Sequence, residues 1–298
     1  TGMAMIAIIC LPRQFHVTVV ENRTKGELRL AGTLLPVYLV AINIFVVPIA
    51  IAGLSHFQPG VADGDTFVLA LPVLAGSPTF ALIAFLGGLS AATAMVIVEA
   101  VALSIMVCNN LVMPIMLRRR MERAQIHHDM GWVLIAIRRI AIAVILLLAY
   151  SYYRMIGSTA ALAQIGLISF AAVAQFAPAF FGGLVWKRGT ARGAMAGVTA
   201  GFALWAYTLF LPSFADAGWI DGSFITDGPF GIGLFRPRML FNLAFDPLTH
   251  GVIWSLLVNS AVYVAVSLLR APSPIERMQA AVFLTRDMPI SVAPGFRL

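Results

Sequence analysis

A chain of 298 residues that is 60% hydrophobic and only 11% charged has too little polar surface for a water-soluble domain, where about a quarter of residues carry charge. Its formal net charge of +7 sits where apolar stretches end, which fits membrane topology and argues against a nucleic-acid-binding face. The two cysteines, Cys10 and Cys108, lie in or beside apolar segments. Neither a disulfide framework nor a CxxC metal site is expected, and no series of short alternating strands suggests a membrane barrel.

In chain order, residues 1–11 read as the end of a helix that starts upstream, because the sequence opens inside an apolar run. A polar connector covers 12–29. The first full span covers 30–54, with Pro36 and Pro48 expected to bend it. Residues 55–65 are a loop, and 66–75 a short amphipathic helix near the interface. From Pro78 an unusually long helix continues to Leu117 and stops at Arg118-Arg119-Arg120. Further spans at 131–152, 159–185, 191–211 and 247–269 meet the roughly 20 apolar residues that about 30 Å of hydrocarbon requires. A loop rich in Gly, Asp and Pro fills 212–246. Residues 270–298, with Pro272, Pro274, Pro289 and Pro294, read as a polar linker. The expected fold is all-α and membrane-embedded.

Charge supports this division. Lys and Arg of short loops are retained on the cytoplasmic side. With 12–29 inside, alternation places 118–130, 186–190 and 270–298 inside too, and only Arg154, Arg236 and Arg238 of the 20 basic residues fall outside that side. The expectation is a multi-pass protein of the inner (plasma) membrane with a cytoplasmic C-terminal tail.

Span 78–117 carries the strongest chemical candidates. At 100° per residue Ser90, Thr93, Ser104 and Cys108 share one stripe, and Glu99 and Asn110 a second. An ionisable group at membrane depth normally faces a bundle interior or a water-filled cavity. Glu99 could bind a cation, carry a proton or fix a substrate ammonium; the plainer reading is a hydrogen-bonded carboxyl joining two helices. Ser90 and Thr93 could ligate an ion, or simply bond the preceding turn. In span 159–185, Gln164 and Gln175 are eleven residues apart, about three turns, and so share a face. Pro178 removes a backbone bond and frees a carbonyl a turn earlier. Broken transporter helices expose ligands in that way, although a simple kink does the same without one.

Other polar residues are less informative. Arg138 and Arg139 are expected to snorkel from inside their span. Tyr150, Tyr152, Tyr153 and Trp132 read as interfacial anchors. His16, His127 and His128 lack metal-ligand spacing. The sequence contains no P-loop, glycine-rich nucleotide motif or nucleophile elbow, so no catalytic residue, metal site or bound cofactor is expected in this stretch.

Three sets of motifs carry a resemblance. The first is Leu11-Pro-Arg-Gln-Phe-His-Val17 with Val20-Glu-Asn22. The second is Gly87-Gly-Leu-Ser-Ala-Ala-Thr-Ala-Met-Val96, followed by Glu99 and Cys108-Asn-Asn-Leu111. The third is Gln175-Phe-Ala-Pro-Ala179, Gly182-Gly-Leu-Val-Trp-Lys-Arg188, Thr190 and Gly193-Ala194. Together they resemble the sodium:solute symporter family, specifically its branch fused to sensor histidine kinases, across most of residues 1–285, including Ile275-Glu-Arg-Met-Gln-Ala280.

The resemblance implies a partial LeuT-type inverted-repeat bundle. It would comprise the second repeat (through 159–185) plus peripheral helices at 191–211 and 247–269, with substrate at the midplane between repeats. It implies a symporter-like domain over 1–270, and a cytoplasmic linker over 271–298 leading toward a signalling region. The expected function is transport or sensing of a small polar, amino-acid-like solute; the alternative is a stand-alone cation- or proton-coupled symporter. ATP and a response regulator enter only if a kinase region follows. One departure concerns the coupling ion. The family typically has two adjacent hydroxyl residues on the helix matching 78–117, and aligning on Ser104 and Leu111 puts Ala94 and Met95 there. A hard cation needs several oxygen ligands, so proton coupling through Glu99, or sensing alone, is expected in place of Na+ coupling.

Overall fold

The structure is a computed structural model; it describes residues 2–15, 24–58, 63–121, 130–156, 162–243, 245–269 and 271–284. His16, His127, His128, Pro289, Pro294 and the motif residues from Val17 to Asn22 lie outside them. Among the described residues the secondary structure is helical, with no strand. Six helices are long and apolar enough to cross a membrane: Gly26–His56, Pro78–Met116, Gly131–Ile156, Ala163–Val185, Ala191–Asp216 and Pro247–Leu269. The chain is thus a multi-pass helical membrane protein. The described chain divides into two compact units, one of Thr1–Cys10 with Met155–Leu298 and one of Leu11–Arg154.

In the Leu11–Arg154 unit a short helix, α2 (Pro12–Phe15), precedes α3 (Lys25–His56). Thr24 caps α3 by accepting from the Glu27 amide at 3.3 Å, so the helix starts about a turn before its apolar run. Pro36 and Pro48 both lie inside it. A 3-10 turn at Gly64–Thr66 leads into α4 (Phe67–Leu74), which packs on α3 and α5 (Pro78–Met106). Phe67 is buried where Gly53 leaves room for its ring, and it stacks on Phe57 at 5.8 Å between centroids. The expected uninterrupted helix over 78–117 instead contains a π-helical turn, Val107–Val112, before continuing as α6 (Met113–Met121). Helix α7 (Met130–Ile156) is a full span carrying Arg138 and Arg139.

In the other unit, α1 (Gly2–Cys10) packs on α8 (Leu162–Ala174). Ile168, Ala171 and Leu209 form a buried core with Met3, Trp205, Leu248 and Val252 around it. The expected single span 159–185 is two helices, α8 and α9 (Ala177–Val185), separated by a turn at Gln175–Phe176. Helix α10 (Ala191–Trp205) passes through a second π-turn, Ala206–Phe210, into α11 (Leu211–Asp216). The connection beyond it contains α12 (Ser223–Thr226) and three 3-10 turns. An Arg238–Asp216 ion pair, a hydrogen bond from the Tyr207 hydroxyl to the Phe235 carbonyl and one from the Leu240 amide to His250 Nε2 at 2.9 Å hold this connection in place.

Helix α13 (Pro247–Leu269) returns antiparallel to α10 in the most extensive helix pair of this unit. One further difference from expectation lies beyond it. Residues 274–284, read above as linker, form α14 (Pro274–Leu284), which packs on α9. The reason is local: Ser273 and Glu276 make a capping box, with Pro274 at the first helical position.

Candidate functional site

Glu99 sits midway along the 39-residue apolar span Pro78–Met116 and is exposed, as are Ser90, Thr93 and Asn110. The proposed hydroxyl stripe does not behave as one surface. Ser104 and Cys108 are 1% and 0% exposed, whereas Ser90 and Thr93 are open. Thr93 and Ser104 donate to the Leu89 and Val101 carbonyls at 2.7 and 2.8 Å, the plainer of the two readings for such hydroxyls. Their oxygens keep lone pairs. The π-turn also changes the angular step after Met106, so the 100° extrapolation from Glu99 to Asn110 does not carry across it.

Gln164 and Gln175 separate for a similar reason. Gln164 lies exposed in the first turn of α8, while Gln175 is fully buried past its end. The Gln175 and Phe176 amides fold back to Ala172 and Val173 at 3.1 Å, a tight turn that ends α8 before Pro178 opens α9. The break exposes the Gln175 carbonyl, which accepts from Asn259 Nδ2 at 2.6 Å. Gln175 Nε2 donates to Ser255 Oγ at 2.9 Å and to the Ala171 carbonyl at 3.1 Å, and Gln175 Oε1 accepts from Asn259 at 3.2 Å. Asn259 Oδ1 is buried and has no hydrogen-bond partner among the described residues.

Space for this cluster comes from glycine. Gly193, Gly197 and Gly201 recur every four residues along one face of α10. Facing them on α13 are Ser267, Tyr263 and Asn259, also four apart. A Cβ on Gly197 would lie 2.8 Å from the Asn259 carbonyl oxygen, and one on Gly201 would lie 2.7 Å from Asn259 Nδ2. Small residues permit this closeness between membrane helices, and polar side chains then bridge them. Ser255, Asn259 and Ser267 were not singled out from the sequence, although their spacing with Gly251 and Tyr263 is a polar stripe at helical period.

At one end of α10, Thr190 caps the helix by accepting from the Gly193 amide at 3.1 Å, and its own amide donates to Ser267 Oγ at 3.2 Å. Glu276 links the same end to α14. One of its oxygens accepts from the Ala191 amide at 2.8 Å, the other from the Ser273 amide at 2.6 Å. These two amide bonds, with the Ser273 hydroxyl and the nearby Arg192 charge, hold the carboxyl below its usual range.

Among the described residues no group of three His, Cys, Asp or Glu could hold a metal ion. Comparison of the chain with protein-family models, curated proteins and solved structures finds no match.

Proposed function

We propose that this chain is the symporter-like membrane domain of a sensor histidine kinase and that it moves or senses a small polar, amino-acid-like solute. The observation that carries the proposal is Glu99, a carboxyl midway along an apolar span and on an exposed face of it. Facing hydrocarbon there is costly, so such groups line bundle interiors or aqueous paths. The interrupted span at Gln175 supports the reading, since transporter sites are built at broken helices. So does the motif resemblance, with the LeuT-type architecture it implies. Ala94 and Met95 offer no ligand to Na+, and protonation of Glu99 supplies the coupling. On the charge distribution, the membrane is the plasma membrane and the tail is cytoplasmic.

The test is proton-driven uptake of a labelled amino-acid panel by the full-length protein in proteoliposomes, alongside the solute-dependent signalling response. Glu99→Gln is expected to bring both to background, and wild-type behaviour of the variant would end the proposal. Replacing sodium by choline is expected to leave uptake unchanged; strict sodium dependence would overturn the proton-coupled form.

A further inference from the structure

We infer that the junction of α10, α13 and α14 is a binding site for an anionic phospholipid. A cleft of about 890 Å³ opens there, lined by Arg192, Met195, Val266 and Leu269 together with Ala191 and Glu276. Its walls are of two kinds. Met195 and Leu269 are 63% and 80% exposed and form, with Val266, an apolar face. Arg192 is the one cation of the lining, at the start of α10; Lys187 and Arg188, both exposed, lie in the turn before that helix, beside the lining and not in it.

Charge selects the occupant. Among the described residues Lys187 and Arg188 have no salt bridge, and Arg192 lies near enough to Glu276 for its charge to favour the carboxylate. The one carboxylate of the cleft, Glu276, has each oxygen engaged by a backbone amide. Within the lining Arg192 balances Glu276, and the exposed Lys187 and Arg188 in the adjoining turn make its surroundings net positive. The guanidinium fork of Arg192 matches two phosphate oxygens. Depth selects it too. The site lies where the membrane-length helices Ala163–Val185, Ala191–Asp216 and Pro247–Leu269 end or begin, at the level of lipid headgroups. A phosphodiester headgroup on Arg192, with an acyl chain along Met195, Val266 and Leu269, uses both kinds of wall. Free phosphate uses only one.

The site is independent of whether the protein moves a solute. Delipidated full-length protein in a neutral detergent is titrated with phosphatidylglycerol, phosphatidylcholine or inorganic phosphate. Bound lipid is counted by native mass spectrometry, and the unfolding midpoint is followed. Phosphatidylglycerol alone is expected to stay bound and raise the midpoint. Removing each basic side chain should weaken its binding about fivefold, and the combined Lys187→Gln, Arg188→Gln, Arg192→Gln variant should weaken it roughly a hundredfold. Equal effects of phosphatidylcholine would reduce the site to general lipid contact, and equal effects of phosphate to a simple anion site; either overturns the proposal. So does undiminished binding by the triple variant. If that variant is unfolded, Arg192→Lys is the deciding case, since it keeps the charge, loses the fork and should bind several-fold more weakly.

Discussion

The Asn259 amide nitrogen serves Gln175 twice, at its backbone carbonyl and at its side-chain oxygen. With no water in hydrocarbon to replace them, these bonds hold together a helix break that would otherwise bury two bare acceptors. Asn259→Ala removes both, and stability in detergent is expected to fall by about 1–3 kcal/mol, read as a lowered midpoint in denaturant. Gln175→Leu in the same background should recover part of that loss, because it removes one of the stranded acceptors. Gln175 was legible in the sequence as an amide amid apolar residues, three positions before a proline. Its partners were not. Ser255 and Asn259 lie 80 and 84 residues away, and no local pattern encodes which span meets which.

Helices α10 and α13 are held by shape more than by polarity. Gly197→Ala places a methyl within 2.8 Å of the Asn259 carbonyl, and backbone cannot rotate aside as a side chain can. The expected loss is about 1–3 kcal/mol, against little change for Gly183→Ala, where an added methyl meets nothing. Helix α14 makes a different prediction. Glu276 ionises below its usual range, and the share of that lowering that comes from the Ala191 amide and the Arg192 charge favours the docked state above the undocked carboxyl's pKa. That gain is lost as pH falls through the lowered value. Spin labels on α14 and α9 should keep their separation at neutral pH and move apart only in acid, and Glu276→Gln should remove the pH dependence. Helix positions were readable because long apolar runs leave few alternatives to a span. The two π-turns were not, since a continuously apolar run has no periodicity against which an extra residue would register. Helix α14 was obscured by its prolines, one of which, Pro274, starts it.

For the whole molecule, the distribution of Lys and Arg around the six spans predicts an orientation that can be checked directly. In single-cysteine variants at Lys187 and Asp221, built on a background with Cys10 and Cys108 replaced, an impermeant reagent should label Asp221→Cys on intact cells. Lys187→Cys should be labelled only after permeabilisation; the reverse pattern would invert the topology. The glycine seam adds a mechanical constraint. A helix rises about 1.5 Å per residue, so the next equivalent seating of α10 along α13 is about 6 Å away. Every smaller displacement sets a side chain of α10 against the backbone of α13. The pair is seated like a toothed rack, and the close packing at Gly193, Gly197 and Gly201 opposes sliding by less than one tooth.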